Sequence, residues 1–174
     1  SISSLEGMRD RTVVINGFSK AFAMTGWRIG YAAGPEEFIS AINRIHQYVI
    51  MSAPSTAQYA AIEALNNGDH SVAAMREEYD RRRRVILSSL NECGLECSEP
   101  KGAFYVFPSI KSTGLSSEVF CERFLLAKKV AIVPGNAFGE CGEGFVRISY
   151  AASMDNIEEA MHRLKDFCAE VIGQ

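Results

Sequence analysis

The chain has 174 residues, of which 47% are hydrophobic, 10% aromatic and 22% charged. This is the texture of an ordinary soluble globular protein and excludes the disordered and fibrous classes. Eighteen Lys and Arg against 21 Asp and Glu leave a net charge of −3, so no global attraction to nucleic acid or anionic lipid is expected. The length suffices for a real core but is short for an enzyme that must build two full lobes.

Five cysteines, Cys93, Cys97, Cys121, Cys141 and Cys168, form an odd set with no C-x-x-C pair and no second half to complete a zinc site. They read as reduced thiols, which points to a cytoplasmic protein. Ser1 to Asp10 lacks the basic start and apolar run of a signal peptide. No apolar stretch reaches the ~20 residues of a membrane span.

In chain order, T-V-V-I-N-G-F from Thr12 to Phe18 is a short β-branched run of the kind buried on both faces of a parallel sheet. A small and polar stretch from Ser19 to Gly26 separates it from W-R-I-G-Y-A-A, Trp27 to Ala33, a second expected buried strand closed by Gly34-Pro35. Beyond Pro35, Phe38, Ile39, Ile42, Ile45, Val49 and Ile50 recur at helical spacing, with Glu36 and Glu37 in the first turn. S-A-P-S-T breaks that helix. A second runs from Ala57 to Leu65, capped near Gly68.

From Ser71 to about Leu90 a charged helix follows, with Val72, Met75, Tyr79, Ile86 and Leu90 as its apolar stripe, suited to bridging two subdomains. Its basic run, Arg81 to Arg84, lies beside Glu77, Glu78 and Asp80. Successive helical residues point about 100° apart, so the run predicts a salt-bridged surface rather than a nucleic-acid face. Beyond Cys93-Gly94 the chain predicts a small α+β unit, with strands at Ala103–Phe107, Val130–Val133 and Phe145–Tyr150 and helices at Val119–Ala127 and Ile157–Val171. Ser153 is placed to start the last helix. His46, His70 and His162 stand alone, without ligands at metal-binding spacing. Tyr105, Phe107 and Phe138 read as core aromatics, and Cys121 and Cys168 as core thiols.

The richest segment is N-G-F-S-K-A-F-A-M-T-G-W-R-I-G-Y, Asn16 to Tyr31. A lysine just past the C-terminal end of a strand sits where open α/β sheets place ligands. The apolar flanks of Lys20 disfavour the ammonium form, as a Schiff-base lysine requires. Arg28, eight residues on, can fork onto a phosphate, and the Ser19 hydroxyl can donate to the same group. An amine for an aldehyde and a guanidinium for a phosphate are what pyridoxal phosphate requires. The residues alone leave open a solvated Lys20 and an Arg28 that merely pairs with a carboxylate.

S-K-A-F-A-M-T-G-W-R-I-G-Y resembles the cofactor-lysine signature of the class I and II aminotransferases, the fold-type I pyridoxal-phosphate enzymes, in their aspartate and aromatic branch. The resemblance continues through G-P-E-E-F-I from Gly34, S-A-P-S-T-A-Q-Y-A-A from Ser52, P-K-G-A-F-Y-V-F-P from Pro100, V-P-G-N-A-F-G from Val133 and G-F-V-R-I-S-Y-A from Gly144. Within that branch the chain is most like bacterial enzymes for aspartate-like or diaminopimelate-type substrates.

The resemblance implies an α/β chain. Residues 1–70 would be the C-terminal part of the large cofactor-binding domain, and residues 71–174 the bridging helix and small C-terminal domain. It implies Lys20 as the Schiff-base lysine and proton shuttle, Arg28 as phosphate anchor and Ser19 as phosphate donor. Arg147 would bind the substrate α-carboxylate, although without the resemblance an internal salt bridge would be the preferred reading of that arginine. It further implies amino-acid and 2-oxo-acid substrates, a homodimer, and no nucleic-acid, membrane or metal partner.

Two departures matter. Gly17 stands where some relatives carry a phosphate-binding serine, three residues before the lysine. The lysine is also residue 20, whereas in the family it lies past the middle of a longer polypeptide. The chain therefore corresponds to a C-terminal portion, with exposed strand edges and apolar faces and little or no transaminase activity by itself. A pyridoxal-phosphate lyase on the same scaffold, or a non-catalytic module for dimerisation or ligand sensing in a regulator, are the alternatives.

Overall fold

The computed structural model describes residues 1–172. The chain forms two compact units, residues 1–75 and the part from Arg76 onward. In the first, β1 (Val14–Gly17) pairs antiparallel with β2 (Gly30–Ala33), Val14 lying opposite Ala33 and Gly17 opposite Gly30. The antiparallel pairing corrects the expectation of a parallel sheet, while the exposed apolar faces are those expected of a C-terminal portion. The two form a hairpin-like ribbon, and Ile15 and Tyr31 on it are 80% and 45% exposed. A short apolar run cannot by itself distinguish these cases, because the buried-strand reading presumes cover on both faces.

Pro35 precedes α1 (Glu36–Val49), and Pro54 precedes α2 (Ser55–Asn67). A proline there costs no helical hydrogen bond, since the first N–H groups have no intrahelical acceptor. The apolar stripe of α1 forms at the expected spacing, yet no residue of this helix is buried. A small cluster of Phe18, Met24 and Ala61, with Phe22, Ile29, Ala60 and Ala64 against it, is the core of this unit.

The boundary between the units falls within α3 (Asp69–Glu92). Its arginine run is ion-paired as expected: Arg81 and Arg82 bond Glu78, while Arg83 and Arg84 bond Asp80. In the second unit a three-stranded antiparallel sheet has the order β3 (Tyr105–Val106), β5 (Val146–Ser149), β4 (Val133–Pro134). The strand expected at Val130–Val133 is therefore displaced toward Pro134; Val130 and Ile132 instead pack as half-buried residues on the core.

One face of the sheet is covered by the main core, in which Ile86 and Leu90 of α3 meet Phe120 and Phe124 of α4 (Ser117–Lys128) and Leu164 and Phe167 of α5 (Met154–Ile172). Ser153 caps α5, its Oγ accepting from Asn156 N at 3.3 Å. The fully buried Ser117 ties the start of α4 to the next loop: its Oγ accepts from Gly144 N and its own N–H donates to Glu143, both at 2.9 Å. Cys121 and Cys168 are buried, as expected.

Candidate functional site

The register of the ribbon decides where the signature residues lie. Because Gly17 at the end of β1 faces Gly30 at the start of β2, the connecting residues 18–29 emerge and return at one end. Ser19, Lys20 and Arg28 all belong to that connection. The loop is pinned rather than free. Phe18 and Met24, 4% and 8% exposed, anchor it beside Ala61 of α2. Phe22 N and Met24 N both donate to Phe18 O at 3.3 Å, and Phe18 N donates to Ile29 O at 3.3 Å. Phe22 also lies over Gly68, where a Cβ would come within 3.1 Å of its ring.

The anchors turn inward and leave the polar groups outward: Ser19 is half-buried, and Lys20 and Arg28 are exposed. Phe18 and Met24 direct their bulk into the small core. Arg28 is not at the start of a strand. It follows the 3-10 turn Thr25–Trp27 in a left-handed conformation, φ 50° and ψ 51°, and its Nη1 donates to Thr25 O at 3.1 Å. Gly17 is not dictated by crowding, because a Cβ there would meet nothing closer than 3.6 Å. The absence of a serine at that position is a chemical difference rather than a steric one.

Arg147 lies in the second unit, in the middle strand of the sheet. Val146 and Ile148, 0% and 6% exposed, point into the core, so the alternation of a strand puts Arg147 on the opposite face, half-buried rather than buried. Among the described residues no carboxylate pairs with it. Its guanidinium lies instead between two rings, with Cζ 4.4 Å from the centroid of Tyr105 and 4.4 Å from that of Phe138.

Tyr105 and Phe138 were expected in the core; Tyr105 is half-buried and Phe138 is 51% exposed. Phe107, also expected in the core, is 39% exposed and meets Phe138 edge-on with centroids 6.2 Å apart. Each such cation–π contact is worth about 0.5–2 kcal/mol. A guanidinium presents its N–H donors in its own plane, where a planar anion such as a carboxylate can accept from them. The aromatic clamp was missed in the sequence, although a signal existed: Tyr105 and Phe107 are two apart on one strand face, the face Arg147 shares once Val146 and Ile148 are taken as inward.

Two glycines hold the loop that delivers Phe138. A Cβ on Gly135 would collide with Gly142 O and come within 2.7 Å of Phe145 O; one on Gly142 would collide with Gly135 O. Backbone cannot yield as a side chain can, so Gly135→Ala is expected to shift the 135–142 loop and pull Phe138 away from Arg147. In a 1H–13C aromatic NMR spectrum, the Phe138 ring shifts should change strongly while those of Phe124 stay put; an unchanged Phe138 signal would refute the close-packing argument.

The sequence profile of the family "Aminotransferase class I and II" matches residues 2–164. The chain belongs to that family. The Bacillus subtilis protein YugH is 56% identical over 167 residues, a match covering 96% of this chain and 43% of that protein. An aspartate aminotransferase of Pyrococcus abyssi is 50% identical over 172 residues, covering 98% and 44% respectively. The crystal structure of an aromatic aminotransferase from Pyrococcus horikoshii superposes with a TM-score of 0.93 at 49% identity, over 98% of this chain and 46% of that one. The chain thus spans less than half the length of the aminotransferases it matches. Among the described residues, no helix is long and apolar enough to cross a membrane.

Proposed function

We propose that this chain is the C-terminal portion of a pyridoxal-phosphate-dependent aminotransferase that moves an amino group between an L-amino acid and a 2-oxo acid. The observation that carries the reading is the Gly17–Gly30 pairing, which brings an amine, a hydroxyl and a guanidinium to one end of a ribbon. That donor set fits an aldehyde and a phosphate. Residues 1–70 belong to the large domain in this reading, and residues 71–174 form the bridging helix and small domain. The whole protein acts as a cytoplasmic homodimer, and the isolated chain has little or no activity.

Ser19 and Arg28 hold the phosphate by charge-assisted hydrogen bonds. Pyridoxal phosphate, when bound, supplies the aldehyde that condenses with amines and the ring that accepts electrons from the substrate α-carbon. Lys20 Nζ would take the proton from that α-carbon as a general base and give it up as a general acid at the carbon that had carried the aldehyde, the shift that amino transfer requires. Arg147 fixes the substrate α-carboxylate, and with it the α-hydrogen, toward one face.

The test uses the full-length protein with aspartate or phenylalanine, donors suggested by the names of the relatives. Oxo-acid formation that requires an added 2-oxo acid, with one new amino acid made per donor consumed, is the expected result. Product formation at the same rate without the acceptor would replace transamination by a lyase reaction. No turnover, together with ligand-dependent dimerisation, would replace both by a sensing module.

A further inference from the structure

In the second unit two thiols line one pocket. Cys93 directly follows α3 and is 8% exposed; Cys168 lies on α5 and is 2% exposed. A surface cavity of about 320 Å³ is lined by Glu92, Cys93, Lys165, Cys168, Ala169 and Ile172. Lys165 Nζ and Glu92 Oε2, 3.0 Å apart, bridge the two helices at its rim. Lys165 is one helical turn from Cys168, so its ammonium stands on the face that carries the thiols.

We propose that Cys93 and Cys168 form an oxidation site, in which the pair reduces a small hydroperoxide and closes to a disulfide that ties the end of α3 to α5. The two sulfurs have unequal tasks. A hydrogen bond from Cys168, aided by the nearby Lys165 charge, holds the Cys93 thiol below its ordinary value, whereas the same contact and burial push Cys168 up. The lone buried thiol of Cys121 shows what burial does without a partner, being pushed up to about 11. The Cys93 thiolate attacks the distal peroxide oxygen, the O–O bond breaks, and the alkoxide leaves as an alcohol with the Cys168 proton. Cys168 sulfur then attacks the Cys93 sulfur, the S–O bond breaks, and hydroxide leaves as water with a proton from solvent. Solvent gives back there the proton that Cys93 first released to it. In sum, two thiols and one hydroperoxide give one disulfide, one alcohol and one water, the thiols losing the two electrons the peroxide gains.

The experiment treats the chain with hydrogen peroxide at a small molar excess, blocks remaining thiols, digests without reductant and maps the peptides by mass. A cross-linked peptide pair holding Cys93 and Cys168, about 2 Da lighter than the two reduced peptides, is expected. It should form at least about tenfold faster in the folded chain than in the chain unfolded in urea, because folding presents the thiols to each other. In separate C93S and C168S variants the pair is lost. Should a variant fail to fold, the folded-against-unfolded comparison decides alone. Cross-linking no faster in the folded chain, or oxidation confined to Cys97 and Cys141 while Cys93 and Cys168 remain alkylatable after denaturation, overturns the proposal.

Discussion

Lys20→Ala in the full-length protein is expected to abolish borohydride-dependent labelling by pyridoxal phosphate at this loop and to lower turnover by on the order of 10⁴-fold or more, since the nucleophilic amine and the proton carrier are lost together. Lys20→Arg should be nearly as damaging. A guanidinium preserves the charge but does not give up its proton to become a free amine, so the pair of variants separates covalent chemistry from electrostatics. Peptide mapping of the reduced adduct is the readout that a merely structural role would not move. A variant that keeps turnover within tenfold of the parent, with label on a different lysine, would move the chemistry elsewhere.

Phe124→Ala carries the largest expected effect on stability. Phe120, Phe124 and Phe167 form a triangle between α4 and α5, with Phe124 6.2 Å from Phe120 and 5.2 Å from Phe167 by ring centroids. Phe124 is 0% exposed. Removing such a ring costs about 3–5 kcal/mol, partly through the cavity left behind, against a typical domain stability of about 5–15 kcal/mol. The second unit should lose a large part of its margin, seen as a large drop in the denaturant midpoint with little change in slope. Phe138→Ala, at a half-exposed ring outside that core, serves as the control and should cost about 1 kcal/mol or less. Equal losses in the two variants would contradict the placement of the core.

The helices were legible because their signal is local. Phe38, Ile42, Ile45 and Val49 announce α1, and Ile157, Met161, Leu164 and Cys168 announce α5, by spacing alone. The ribbon was not. The runs around Val14 and Tyr31 are apolar enough to be buried, and nothing in a run of four residues states which neighbour it pairs with or in which direction. The signature loop was readable as a cluster of chemical groups. Its left-handed Arg28 was not, because a non-glycine residue at positive φ is disfavoured in general and here closes the 3-10 turn Thr25–Trp27. Arg147's isolation among apolar residues suggested burial and a charged partner, whereas strand alternation puts it half-buried on the other face. The rings of Tyr105 and Phe138 were misassigned by the same habit of sending aromatics inward.

The two rings about Arg147 bear on the thermodynamics of recognition. A long, many-rotamer side chain usually surrenders its torsional freedom when a ligand arrives, and affinity falls by that entropy. Here much of that freedom has already been given up on folding, between Tyr105 and Phe138. Capture of an anion by this side chain should therefore show a smaller entropic penalty than an unsupported surface arginine would impose.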